Sequence, residues 1–97
     1  MYKYSTKIGV DGQGAFALEL GAKTLGKIKI KLIDGELALL DTIVPINSNL
    51  KSVGVLLIRE IVDYARMHEL KIVTISKFVQ KQFSNNPELY ADVWEKL

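Results

Sequence analysis

The chain has 97 residues, a formal net charge of +2 and no cysteine. This length suits one domain with a single core, and the small charge argues against a nucleic-acid-binding surface. The missing cysteine excludes disulfides, thiolate zinc ligands and a thiol nucleophile. The first residues are polar and include Lys3 and Lys7, so they do not resemble a signal peptide. The apolar runs are too short to span a bilayer. We therefore expect one cytoplasmic domain over residues 1–97, with no membrane partner.

The first half of the chain predicts antiparallel strands. Short strands are predicted over residues 2–10 and 15–20. The clearest pattern covers 26–32, where isoleucine and leucine alternate with lysines that should face water. The Asp-Gly pair at 34–35 predicts a hairpin turn into a strand over 36–44. That strand is apolar on both faces, which predicts a central strand that is covered on both sides.

The second half changes to a helical period. An apolar stripe predicts a helix over 53–69, and a β-branched run predicts a strand over 71–76. Residues 77–85 read as helical, and Asn86 with Pro87 begins a last helix. The strand–helix–strand unit should be right-handed, with its two strands parallel. Tyr64, Tyr90 and Trp94 are expected to pack in the core, with the latter two spaced i, i+4 on the last helix.

The junction between strand and helix, residues 45–54, allows two interpretations. Free N–H groups and the helix dipole favour a phosphate there, Gly54 would let the backbone approach it, and Lys51 would add charge. The plainer interpretation is capping without a ligand, because several good N-cap residues are present, namely Asn47, Ser48, Asn49 and Ser52.

From about Gly35 to Leu97 the chain resembles the small, single-domain GCN5-related N-acetyltransferase-like proteins. The matching stretches are GELALLDTIVP, NLKSVG before a helix that ends in VDYAR, LKIVTIS followed by KFV, and NPELYADVW. The resemblance implies an α+β, GNAT-like fold. In it, antiparallel strands and a splayed parallel strand pair surround a long central helix, and short helices follow. Val44 and Ile72 would lie on the two diverging strands.

The same resemblance implies acetyl-CoA as cofactor. Its pantetheine arm would pair with the backbone of Thr42, Ile43 and Val44. Its pyrophosphate would lie on the loop whose family pattern is Gln/Arg-x-x-Gly-x-Gly/Ala. In NLKSVG only the last of these positions matches. The residues expected to hold the pyrophosphate are Asn49, Lys51, Ser52, Val53 and Gly54.

Two positions implied as catalytic differ from the family. Asp41 stands where small members have a histidine, and Ser76 where they have a cysteine. Ser76 is a weak nucleophile without a base, and His68 is predicted at the far end of the helix. Asp41 could instead deprotonate an attacking amine, provided that burial raises its pKa. The plainer alternatives are a carboxylate bonded at a strand kink for Asp41 and an N-cap for Ser76.

The prediction is therefore an acetyl-CoA-dependent N-acetyltransferase that acts on a primary amine of a small molecule or a protein. The alternative is a catalytically weakened or inactive GNAT-like protein that binds CoA or a protein partner. The first strand should leave one edge exposed, which could pair with a second copy to form a homodimer.

Overall fold

Four strands joined by hairpins precede the long helix in the computed structural model, which describes residues 2–45 and 49–95. The elements are β1 Tyr2–Ile8, β2 Gln13–Leu20, β3 Lys23–Ile33, β4 Glu36–Ile43, α1 Leu50–Met67, β5 Lys71–Thr74, α2 Lys77–Asn85 and α3 Pro87–Tyr90. The sheet order is β1-β2-β3-β4-β5, antiparallel as far as β4, and β4 pairs with β5 in parallel. The predicted α+β, GNAT-like fold is confirmed.

Alternation along β2 and β3 gives the sheet an apolar face and a polar face. Phe16 and Leu18 on β2 and Ile28 and Ile30 on β3 are buried, and both strands contact α1. The lysines at 27, 29 and 31 point the opposite way, as predicted, onto what we call the outer face of the sheet. The turn before β4 contains Asp34 and Gly35, with φ of 50° and 79°. Two positive φ values suit a tight hairpin, so the turn prediction is confirmed.

The long helix buries the stripe that the sequence predicts. Leu57, Ile58, Ile61, Val62 and Ala65 are buried against the sheet. The helix begins at Leu50, three residues earlier than predicted, and it ends at Met67 with His68 as its C-cap. Tyr64 packs edge-on against Phe16, with ring centroids 5.1 Å apart, which confirms its packing role.

The last helix is much shorter than predicted. It ends at Tyr90, and the chain then runs beside β5. Ile72 donates its N–H to the Val93 carbonyl at 2.6 Å and accepts the Glu95 N–H at 2.9 Å. The backbone N–H and C=O groups at the edge of β5 need hydrogen-bond partners. Residues 93–95 supply them, and this pairing prevails over the helical pattern of the segment.

The aromatic residues of the C-terminal segment still close the core. Phe83 of α2 stacks on Tyr90 with centroids 4.2 Å apart, and it meets Trp94 edge-on at 5.4 Å. Packing of Tyr90 and Trp94 is thus confirmed, although their i, i+4 placement on one helix is wrong.

β4 is covered on both faces over only part of its length. The register between β3 and β4 shifts so that Lys29 opposes Asp41 and Ile30 opposes Leu39, leaving Leu40 as a bulge. Leu40 and Ile43 are 40% and 37% exposed, so the predicted two-sided burial is wrong beyond the bulge.

Candidate functional site at the end of the parallel strand pair

The parallel pairing of β4 and β5 stops halfway along β4. Residues 36–39 pair with 71–74, and the Leu39 carbonyl then accepts the N–H groups of both Ile75 and Ser76, at 3.1 and 2.8 Å. β4 continues to Ile43 without a β5 partner. The predicted divergence of the two strands is confirmed. We call residues 40–45 and 75–78 the open end of the pair, and residues 36–39 with 71–74 its closed end.

Two hydroxyls meet across the open end. The Oγ1 of Thr42 and the Oγ of Ser76 are 3.0 Å apart, and either can donate. Ser76 is 6% exposed. Its side chain makes no capping bond to α2, so the N-cap interpretation of Ser76 is wrong for the hydroxyl. Sequence reasoning did not single out the Thr42 side chain, because regular alternation from Leu37 and Leu39 places Thr42 on the opposite face. The bulge at Leu40 turns it toward Ser76.

Asp41 lies elsewhere than the burial argument requires. It is exposed and opposes Lys29 on β3, on the outer face of the sheet. The strand does kink beside it, at the Leu40 bulge, but the expectation of a buried carboxylate is wrong. The reason is that the Leu40 bulge turns Asp41 onto the outer face, where the described residues leave it exposed to water.

The amino end of α1 is capped by Asn49. Its Oδ1 accepts the Ser52 N–H at 3.0 Å, and its carbonyl accepts the Val53 N–H at 3.0 Å. The capping interpretation is confirmed for Asn49, while Asn47 and Ser48 lie outside the described residues. Because these two N–H groups are occupied, Leu50 and Lys51 carry the N–H groups of the first turn that lack an intrahelical acceptor.

Val53 and Gly54 turn toward the protein interior. A Cβ atom on Gly54 would lie 2.3 Å from a ring carbon of Phe78, so only glycine lets the α2 aromatic ring approach α1 this closely. Val53 is 8% exposed and packs against Gly26 of β3. Both residues thus have structural roles, and their contact with a cofactor stays a prediction.

A cavity of about 650 Å³ lies between the start of α1 and α2. Asn49, Leu50 and Lys51 line it on one side, and Phe78 and Lys81 line it on the other. Lys81 did not stand out in the sequence, because one lysine on a short amphipathic helix carries no signal of its own. Two ammonium groups and the positive end of a helix dipole make this cavity attractive to anions.

The described residues do not form a metal site, and they do not place a histidine at the open end. Among residues 2–45 and 49–95, no group of three or more histidine, cysteine, aspartate or glutamate side chains could hold a metal ion. His68 packs on Tyr64 with centroids 4.2 Å apart, at the end of α1 opposite the junction. Within the same residues, none of the helices has the length and apolar character needed to cross a membrane.

The fold and the open strand pair define the class of the protein, and comparison with known proteins gives its family. A family model described as GCN5-related N-acetyl-transferase matches residues 15–93. The NMR solution structure of a GCN5-like protein from Staphylococcus aureus has a TM-score of 0.69 and 25% sequence identity, covering 96% of this chain and 89% of that chain. No curated protein matches the chain. The chain belongs to the GCN5-related N-acetyltransferase family.

Proposed function

We propose that this protein is an acetyl-CoA-dependent N-acetyltransferase that acetylates a primary amine of a small molecule or a protein. The observation that carries the proposal is the open end of the β4–β5 pair, in a chain of this family. Bound acetyl-CoA would supply an activated acyl thioester. The proposal includes a cytoplasmic location, because acetyl-CoA is needed as co-substrate.

The backbone of β4 offers a place for the pantetheine arm. Thr42, Ile43 and Val44 lie beyond the last β5 pairing, so their backbone groups on that side are open to an extended ligand. Adding a strand-like ligand to such an edge supplies main-chain hydrogen bonds without any special side chain.

The cavity between α1 and α2 suits the phosphates. Lys51 and Lys81 line it, and the N–H groups of Leu50 and Lys51 are at the first helical positions. In the proposal these groups contact the phosphates. Asn49, Ser52, Val53 and Gly54 then maintain the shape of the turn through the cap and the buried packing described above.

The open end favours direct transfer over an acyl-enzyme. In the proposed step the amine nitrogen bonds to the acyl carbon while the carbon–sulfur bond breaks, and sulfur leaves as a thiolate. The exposed Asp41 carboxylate accepts the proton that the amine loses and passes it to water, a role that does not require the burial expected from the sequence. The hydroxyl pair of Thr42 and Ser76 donates a hydrogen bond toward the developing negative charge. Ser76 does not attack, because its described partner is another hydroxyl and not a base.

A binding role is the second candidate, and two observations favour it. Asp41 is exposed and faces away from the hydroxyl pair, and the Ser52 N–H is occupied by the cap. Such a chain would bind CoA, or a protein partner at the same surface, and leave an amine unmodified.

The first test is thermal unfolding with and without acetyl-CoA, followed by thiol release on a panel of amines. A ligand at a hundred times its Kd adds about 2.7 kcal/mol of stability, which is easily visible. Stabilisation with thiol release supports the enzyme. Stabilisation alone supports the binding role, and no stabilisation contradicts both versions that use CoA.

Two variants then test the assigned residues. Lys51→Ala should weaken acetyl-CoA binding in a salt-dependent way, whereas Lys23→Ala, at the β2–β3 hairpin and outside the lining of the cavity, should not. Asp41→Asn should lower kcat with little change in CoA affinity, and Asp63→Asn, on the exposed side of α1, is its matched control. Equal losses of kcat and CoA affinity in Asp41→Asn would contradict its role as base.

A further inference from the structure

A groove on the outer face of the sheet is separate from the cavity between α1 and α2, and it lies on the opposite face of the sheet from the hydroxyl pair. It encloses about 480 Å³ and runs across β1 to β4. Its floor is formed by Ala15 and Ala17, whose small side chains leave a depression between Lys7 on β1 and Lys27 on β3. This volume falls in the range of small-molecule sites, roughly 300–1,000 Å³.

The groove carries an excess of positive charge without ion-pair partners. Lys7 and Lys27 line it, and Lys29 follows on the same face of β3. Glu19 is the acidic residue of the lining. In the described part of the chain, the salt bridge that forms joins Arg66 to Asp92, away from this face, so these lysines are available to an anion.

The groove ends where the proposed chemistry occurs. Ile43, Val44 and Pro45 close it at the free end of β4. Asp41 lies two residues before Ile43 on the same face, which separates their Cα atoms by about 6–7 Å along the strand. A small molecule in the groove would therefore reach from the lysines to the carboxylate.

We propose that this groove binds the acceptor, and that the acceptor is a small molecule with a carboxylate in addition to its primary amine. This inference rests on the proposed function. Lys7 and Lys27 bind the carboxylate, and Asp41 receives the amine at the β4 end.

The kinetic test compares two acceptors of similar amine basicity, 4-aminobutanoate and butylamine. We expect kcat/KM to favour 4-aminobutanoate by about tenfold, the lower end of what a hydrogen bond to a charged group contributes. Lys27→Gln should reduce that preference about three- to fivefold, in the range of a partly exposed ion pair. Lys23→Gln, outside the groove, should leave it unchanged. Equal use of both acceptors would overturn the inference and leave the acetyltransferase proposal intact.

A binding test separates failure of the groove from failure of the enzyme. Glutarate, which has no amine, is titrated into the full chain without acetyl-CoA and followed by amide NMR. We expect saturable shifts centred on Ala17 and Lys27, which Lys27→Gln weakens and Ala17→Leu abolishes by filling the groove. Shifts spread evenly over all lysines, or none, would overturn the groove whatever the thiol-release assay gives. Saturable binding without acetylation of any amine would support the groove and contradict the enzyme.

Discussion

β4 runs through both the closed and the open end of the β4–β5 pair, yet the two ends differ in burial and in strand pairing. At the closed end, Leu37 and Ile72 are fully buried, and residues 93–95 cover the outer edge of β5. At the open end, the strands are bridged by two hydroxyls, and Ile43 is more than a third exposed. The closed end thus contributes stability, whereas the open end keeps backbone and hydroxyl groups available to a ligand.

The largest expected effect is the loss of a closed-end side chain. Leu37→Ala should lower the free energy of unfolding by about 2–5 kcal/mol, because it leaves a cavity in a fully packed site. Ile43→Ala, the matched change at the open end, should change it by less than about 1 kcal/mol. Denaturant unfolding of both variants measures the contrast. Similar losses at the two ends would contradict it.

The second effect concerns the contact of Gly54 with Phe78, next to the open end. Gly54→Ala should destabilise the protein by about 1–2 kcal/mol, because overpacking against the ring outweighs the better helix propensity of alanine. In a Phe78→Ala background the same change should stabilise by up to about 1 kcal/mol. A double-mutant cycle measures this reversal of sign. Additive effects would show that the ring does not restrict position 54.

The third effect concerns the cap. Asn49→Ala should cost about 1 kcal/mol of stability, because the Ser52 N–H loses its acceptor, and Asn49→Asp should largely preserve it. Gln80→Ala, at an exposed position of α2, is a control outside both the cap and the cavity. If Asn49→Ala leaves unfolding unchanged but weakens acetyl-CoA binding, position 49 acts on the ligand and not as a cap.

The smallest effect is at the surface bridge behind the closed end, where Arg66 pairs with Asp92 at 2.9 Å. The hydrogen bond from Arg66 lowers the pKa of Asp92 below its ordinary value. Its contribution is therefore complete above the unfolded pKa of aspartate and is lost as pH falls through the lower folded pKa. Asp92→Asn should lower Tm slightly at pH 7, and the difference from wild type should vanish in strong acid. A difference that persists there would exclude the ion pair as its cause.

Much of the fold could be predicted from local pattern. Alternation along residues 26–32 and the Asp34-Gly35 turn indicate β3 and its hairpin, and the stripe from Leu57 to Ala65 indicates α1. These signals are reliable because each depends on residues that are close together in the chain and on one face in contact with the core.

Less of the candidate site than of the fold could be predicted from the sequence. Asp41 lies on the strand before the helix, as predicted, and Ser76 lies just after β5. The bulge at Leu40, however, places Asp41 on the outer face and leaves Thr42 to meet Ser76. A bulge depends on pairing with another strand, and its position has no clear mark in this sequence. The cavity lysine Lys81 and the groove over Ala17 could not be predicted either, because each depends on segments that only the tertiary structure brings together.

Local side-chain order therefore accounts for which segments become strands and helices, because period and turn chemistry act over a few residues. Long-range pairing decides where β4 and β5 separate, why residues 93–95 join β5 instead of extending a helix, and which faces carry Asp41 and Thr42. Those outcomes depend on hydrogen-bond partners far away in the chain, which a local pattern does not contain.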